Sequence, residues 1–259
     1  MSDALQSLLD RAAGDERPWV EFLERSWSPA GLQAIAGKAA AGLTARGLKP
    51  GERLGLLLPN LPIAAAALLA AWRAGLVALP VDPRRPAAEL AAWQARFRPA
   101  ALVTLDLATV FERAAPLVGE AGCRLLVLAR MADQLSWSKR LFSPWLRAGG
   151  VVRPARRDDL VAWEELAGPR ELDRLLPDEA PAVELPDGSL LSRGEVAALA
   201  AGGAPAGRRL LARPLASAEA LGALLASFGG GGALVLSPRL DARSLEKVGK
   251  AARTTATVG

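Results

Sequence analysis

The hydrophobic pattern of this chain alternates between short stretches that are apolar at every position and longer stretches of helix-forming residues. The alternation is most complete over residues 40–83. It predicts a strand at 53–58, a helix at 63–74 and a second strand at 76–81. Both strands are apolar at successive positions, which is typical of strands covered on two faces. The helix between them is therefore predicted to be the crossover of a parallel βαβ unit.

The same alternation continues on both sides of this unit. Residues 19–27 form a short aromatic segment between the first two helices. Helices are predicted at 4–13, at 31–45 with Ser28 as N-cap, at 86–97 and at 108–118, and strands at 100–105 and 124–129. Regular alternation of strand and helix predicts an α/β fold with doubly wound, mainly parallel sheets.

A second group of elements follows a polar connection at residues 151–177. Ser192 and Glu195 match a capping box, which predicts a helix at 193–201. The other predicted elements are strands at 180–185, 209–215, 233–236 and 254–258, a tight turn at Asp187-Gly188, and helices capped by Ser217 and Asp241. We therefore predict two lobes, one at residues 1–175 with a basic amphipathic arm at 135–157, and a second at 176–259.

The composition excludes several classes of enzyme. With 51% hydrophobic and 23% charged residues, the 259-residue chain has a globular composition. Its single cysteine, Cys123, lies in an apolar run, so neither a disulfide framework nor a cysteine metal site is predicted. The chain has no histidine, which excludes a Ser-His-Asp triad, imidazole acid–base chemistry and histidine metal ligands.

The positive charge is concentrated in one part of the sequence. The formal net charge is +5, and residues 134–157 contain six cations and no acidic residue. These cations are Lys139, Arg140, Arg147, Arg153, Arg156 and Arg157. No nucleic-acid-binding motif accompanies the patch, so no nucleic-acid partner is predicted.

The arm leaves two interpretations open. Six residues at 135–149 are candidates for contact with a membrane surface, namely Trp137, Lys139, Arg140, Phe142, Trp145 and Arg147. Alternatively, the arm packs its aromatic residues on the lobe and exposes its charges to water. The N-terminus lacks the pattern of a signal peptide, so we predict a cytoplasmic protein, peripheral at the inner membrane surface if the first interpretation holds.

The unit at residues 40–83 also resembles a known family. Its segments GLKPGERLGLLLPNLP and AAWRAGLVALPVDP, followed by the helix at 86–97, resemble the N-terminal signature of the adenylate-forming (AMP-binding) superfamily, within it the long-chain fatty acyl-CoA ligases. The resemblance covers residues 43–149 well, the first forty residues loosely and the end of the chain faintly. It implies the fold of the N-terminal half of an acyl-CoA ligase.

In that family, the strand matching 180–185 leads into a loop rich in glycine, serine and threonine that ends in Pro-Lys-Gly and holds the ATP phosphates. By resemblance, Gly188 matches the last glycine of the loop and Ser192 matches the threonine that starts the next helix. The residues between are missing, and Glu184, Pro186 and Asp187 occupy the remaining turn. Because carboxylates without a metal repel triphosphate, this degenerate position is predicted not to bind ATP.

The resemblance also implies motifs that this sequence lacks. The aromatic-histidine motif expected at 212–216 is absent, and the downstream nucleotide motifs and C-terminal lid have no counterpart before Gly259. We expect a natural degenerate homologue, although a cut piece of a longer protein is the other interpretation. The leading hypothesis is a noncatalytic binding or regulatory protein without catalytic, cofactor or metal residues. The alternative is part of an active fatty-acid CoA ligase, using ATP and Mg²⁺ and completed by another chain. An acyl ligand, a homo-oligomer and a partner subunit remain open.

Overall fold

The computed structural model describes residues 3–119, 122–136, 150–168, 175–230, 232–238 and 241–258. The helices are α1 Ala4–Ala12, α2 Pro29–Ala45, α3 Pro62–Arg73, α4 Ala87–Phe97, α5 Ala108–Ala114, α6 Arg193–Ala201, α7 Ala218–Gly229 and α8 Ala242–Ala252. The strands are β1 Val20–Phe22, β2 Arg25–Trp27, β3 Arg53–Leu57, β4 Val77–Val81, β5 Ala101–Leu105, β6 Leu125–Ala129, β7 Leu160–Ala162, β8 Pro181–Glu184, β9 Leu190–Ser192, β10 Arg208–Leu211, β11 Ala233–Val235 and β12 Ala256–Val258. These elements form two sheets with helices packed against them, so the predicted α/β class is confirmed.

The first sheet contains the βαβ unit predicted within residues 40–83. Its strand order is β7-β6-β5-β3-β4-β8-β9, and every pair is parallel except the β8–β9 hairpin. Leu54 in β3 lies opposite both Ala78 in β4 and Ala101 in β5. All residues of α3 from 62 to 72 are buried, which explains the alanine run: small side chains allow close approach of the neighbouring helix α2.

The second sheet has the strand order β12-β10-β11-β1-β2. It includes residues 19–27, for which the sequence analysis predicted no strand. In the structure they form the antiparallel hairpin β1–β2, and Val20 of β1 pairs in parallel with Leu234 of β11. Each strand of the hairpin has only three residues, too few to show the apolar period on which strand prediction depends.

The two sheets exchange elements across residue 175, where the predicted lobes divide. Strands β1 and β2 precede that residue and belong to the second sheet, whereas β8 and β9 follow it and belong to the first. The division of the chain into two domains at that position stays a prediction, because sheet membership does not follow it.

Two predicted elements are shorter than the sequence suggested. The helix predicted at 108–118 ends at Ala114 and continues as a 3₁₀ turn, because Pro116 removes a backbone donor. The strand predicted at 209–215 ends at Leu211, and Pro214 follows in a loop. Within the described ranges no helix is long and apolar enough to cross a bilayer.

Candidate functional site

The predicted phosphate-loop position is a closed hairpin turn in the structure. The amide N–H of Leu185 donates to the carbonyl of Ser189 at 2.8 Å, and that of Gly188 donates to the carbonyl of Leu185 at 2.8 Å. Gly188 has φ = +95°, a conformation that glycine adopts without strain, and partly exposed Pro186 lies within the turn. Backbone N–H groups that a phosphate loop would direct at an anion are thus used inside the turn.

Both carboxylates of the hairpin are held by groups of the chain itself. Glu184 accepts a hydrogen bond from Nε of Arg53 at 2.7 Å, forming an ion pair. Asp187 accepts from the N–H of Ser189 at 2.8 Å, and this bond lowers the pKa of the exposed carboxyl group. The turn therefore presents the Asp187 carboxylate to the solvent, with the Arg96 guanidinium close by.

Ser192 is the N-cap residue of α6. Its hydroxyl oxygen accepts from the N–H of Glu195 at 3.2 Å, and the Glu195 carboxylate accepts from the N–H of Ser192 at 2.7 Å. This is the predicted capping box, and it is confirmed.

A crevice lies at the carboxyl ends of the strands of the first sheet. The chain leaves β3 toward β4 and leaves β5 toward β6, in opposite directions, so β3 and β5 flank a topological switch point where open α/β sheets bind ligands. The cavity there measures about 340 Å³. Its lining includes Leu107, Thr109, Met131 and Pro238, together with Arg84 and Arg113.

The two arginines of the crevice differ in their partners. Arg84 forms an ion pair with Asp82 at 2.7 Å. Arg113 instead donates to the carbonyl oxygens of Pro83 and Arg85, each at 2.9 Å. Within the described part of the chain Arg113 has no carboxylate partner, so its charge favours an anion in the crevice. Arg113 was not among the site residues predicted from the sequence.

Asn60 fixes one wall of this region. It is 3% exposed, its Nδ2 donates to the carbonyl of Arg213 at 2.7 Å, and its Oδ1 accepts from the N–H of Leu215 at 3.0 Å. Residue 60 lies three positions after the end of β3 in the first sheet, and residues 212–216 follow β10 in the second. One amide side chain thus joins the two sheets.

Asp106, at the end of β5, is a buried carboxyl group near the crevice. It is 5% exposed and accepts from the N–H of Met131 at 2.7 Å. Burial raises its pKa above the ordinary value of 3.8, and the neighbouring Asp133 carboxylate adds to this rise while Arg130 opposes it.

The Asp106→Asn variant should be more stable than the wild type at neutral pH. Since the folded pKa of Asp106 is raised, its contribution to stability is full below pH 3.8 and is lost as the pH rises through the folded pKa. Asparagine still accepts the hydrogen bond from the N–H of Met131, but it does not ionise and so does not lose stability as the pH rises. Urea unfolding from about pH 7 to about pH 4 should show the advantage of the variant shrinking on acidification.

Asp187→Asn provides the control with opposite sign, because the folded pKa of Asp187 is lowered. Its contribution is present above the ordinary aspartate pKa and disappears as the pH falls through the folded value. A stability difference for Asp106→Asn that did not change with pH would contradict the prediction.

The membrane-surface candidates of the arm cannot be placed in this fold. Trp137, Lys139, Arg140, Phe142, Trp145 and Arg147 all lie outside the described residues. A membrane role for residues 135–157 stays a prediction.

Comparison with solved structures places this fold in a class. A benzoate CoA ligase from Burkholderia xenovorans LB400 is 17% identical and matches 99% of this chain with a TM-score of 0.77. A long-chain-fatty-acid-CoA ligase from Archaeoglobus fulgidus is 17% identical and matches 99% with a TM-score of 0.74. The chain spans 50% and 51% of those two proteins, about half their length. Its fold is that of the N-terminal half of adenylate-forming ligases.

The sequence supports the same assignment. The profile of the family described as AMP-binding enzyme matches residues 10–163, more than half of the chain. The chain belongs to the AMP-binding enzyme family. A search of curated proteins found no match.

Proposed function

We propose that this protein is a noncatalytic, ligand-binding member of the AMP-binding family. The β8–β9 turn is the observation that carries the proposal. The N–H groups of Leu185, Gly188 and Ser189 are all hydrogen-bonded within the turn, and Asp187 presents a negative charge there. A triphosphate would find these three N–H groups already engaged, and the charge of Arg96, which lies against Gly188, is offset by the Asp187 carboxylate.

The crevice at the switch point supports a retained binding role. Its volume of about 340 Å³ lies in the range of small-molecule pockets. Arg113 supplies a positive charge, and Leu107 and Met131 supply apolar surface. The structural neighbours are named as ligases of benzoate and of long-chain fatty acids. We therefore propose a carboxylate with an apolar body as the ligand class.

Calorimetric titration tests the loss of nucleotide binding. We expect no binding of ATP with Mg²⁺, or of AMP, at micromolar concentrations, because the turn offers no site for phosphate. Benzoate and octanoate serve as carboxylate probes in the same buffer. For the probe that binds, Arg113→Gln should weaken binding about tenfold by removing a charged donor. Micromolar affinity for either nucleotide would overturn the noncatalytic assignment.

A second candidate function is that of part of an active fatty-acid CoA ligase completed by another chain. The outer part of the second sheet favours it. Among the described residues β12 pairs only with β10. No residue of α8 is buried, although Leu245 and Val248 lie on one side of that helix and are only partly covered. Additional polypeptide packed on this side would cover them. This candidate predicts the opposite calorimetric result, micromolar nucleotide binding that requires Mg²⁺.

A further inference from the structure

A second cavity, of about 390 Å³, lies between α2, the start of α3, the end of β6 and the β1–β2 hairpin. We call it the α2 groove. Since β6 and β8 are separated by β5, β3 and β4, strand spacing places the groove about 19 Å across the sheet from the β8–β9 turn. The groove is therefore independent of the site that decides nucleotide binding.

The floor of the α2 groove is apolar. Leu32 and Ala39 of α2 and Ile63 and Ala66 of α3 form it, and all four are buried. Ile35 lies at its mouth and is 39% exposed, one of the few large apolar side chains that the described residues leave in water. An apolar ligand body would cover this surface and gain the free energy of its burial.

Two tryptophans also line the groove. Trp27, at the end of β2, is partly exposed, and Trp163, which follows β7, is buried with its surface toward the cavity. The guanidinium carbon of Arg25 lies 4.4 Å from the centre of the Trp27 ring, which fixes that indole. Flat indole surfaces favour a flat, aromatic ligand body.

The charges at the rim leave one cation without a partner. Arg130 pairs with Asp133 at 3.0 Å and also with Glu164. Arg25 donates to the carbonyl oxygens of Asp133 and Leu135, each at 2.9 Å. Lys38 on α2 is exposed and, within the described ranges, forms neither an ion pair nor a hydrogen bond. With three cations and two carboxylates, the rim has room for one negative charge.

We propose that the α2 groove binds a small amphipathic anion, with its flat apolar body on the floor between the tryptophans and its single negative group beside Lys38. The volume fits such a molecule, since small-molecule pockets measure about 300–1,000 Å³. The position also fits, because the groove lies at the carboxyl ends of parallel strands and between the two sheets. The proposal does not depend on the loss of nucleotide binding.

The test uses the full chain and the probe 8-anilinonaphthalene-1-sulfonate, a flat aromatic molecule with one sulfonate group. Its fluorescence titration should saturate at one probe per chain. Lys38→Gln should weaken binding about fivefold by removing the rim charge. Ala34→Trp, at an exposed α2 position on the groove, should abolish binding by filling it. Lys247→Gln, an exposed lysine on α8, is the matched control and should bind as the wild type does.

Two further measurements test whether the signal comes from the α2 groove. Thermal unfolding must show that Lys38→Gln and Ala34→Trp are folded, so that lost fluorescence reports the groove. The neutral analogue N-phenyl-1-naphthylamine should bind independently of Lys38. Absence of saturable binding, unchanged binding by Ala34→Trp, or an equal loss caused by Lys247→Gln and Lys38→Gln would each overturn the proposal.

Discussion

Replacing Arg193 with alanine should lower the free energy of unfolding by about 3–5 kcal/mol, the largest effect we expect from a single substitution outside the apolar core. The Arg193 side chain is 1% exposed and donates to both carboxylate oxygens of Asp3, at 2.9 and 2.8 Å. It also donates to the carbonyl of Trp72 at 3.2 Å. Its removal leaves the equally buried Asp3 carboxylate without a counterion.

The loss of Arg193 should also affect neighbouring segments, because the Asp3 carboxylate accepts hydrogen bonds from backbone N–H groups as well. Its carboxylate accepts from the N–H of Gln6, which caps α1, and from the N–H of Leu176. Because Arg193 also bonds Trp72 near the end of α3, the pair joins the beginnings of α1 and α6 to the crossover helix between β3 and β4. Hydrogen exchange should accelerate at Gln6 and Leu176 in the variant.

Urea unfolding followed by tryptophan fluorescence measures the change in stability. Arg85→Ala is the matched control, since Arg85 forms an exposed ion pair with Glu89 at 3.2 Å that contributes about 0–1 kcal/mol. The double variant Arg193→Met with Asp3→Asn removes both buried charges, keeps an acceptor for one of the two N–H groups, and should recover part of the loss. Equal losses of stability in Arg193→Ala and Arg85→Ala would contradict the prediction that breaking the buried ion pair costs more than breaking an exposed one.

The parts of the fold that the sequence predicted are those set by local chemistry. Strands β3 and β4 could be predicted from the sequence because a strand covered on both faces is apolar at every position. Ser28, Ser192, Ser217 and Asp241 were all identified as N-caps, and each accepts a hydrogen bond from the N–H three residues later. A cap depends only on residues within one helical turn, so sequence alone identifies it.

The parts that the sequence did not predict depend on contacts between distant residues. Arg193 and Asp3 are 190 positions apart, and Arg53 and Glu184 are 131 positions apart. The turn at Asp187-Gly188 and its carboxylate were predictable from local residues, whereas the pairing of Glu184 with Arg53 required the alignment of β8 beside β4. Asn60 had a weak local signal, a polar residue shortly after a buried strand and close to two prolines.

Replacing Asn60 with leucine should destabilise the protein by about 2–4 kcal/mol, because it leaves one buried and one partly buried backbone group without partners at about 1–3 kcal/mol each. These groups are the carbonyl of Arg213 and the N–H of Leu215. Leucine nearly preserves the side-chain volume, so the loss reports hydrogen bonding more than packing. Urea unfolding gives the magnitude, and hydrogen exchange of the Leu215 amide gives its location.

Ser217→Ala is the control for Asn60→Leu, because it alters the same loop by removing only the N-cap of α7 and should cost about 1 kcal/mol. The amide of Leu221, bonded to the Ser217 carbonyl inside that helix, should stay protected in Asn60→Leu while the Leu215 amide exchanges faster. If the Leu215 amide stayed protected and stability fell by less than about 1 kcal/mol, Asn60 would not join the sheets. If instead the loop loosens as expected, the segment after β3 loses its attachment to the loop after β10, and Pro59, which lines the crevice, shifts with it. Carboxylate binding should then weaken together with Leu215 protection, since Asn60 bonds the Leu215 amide and directly follows Pro59.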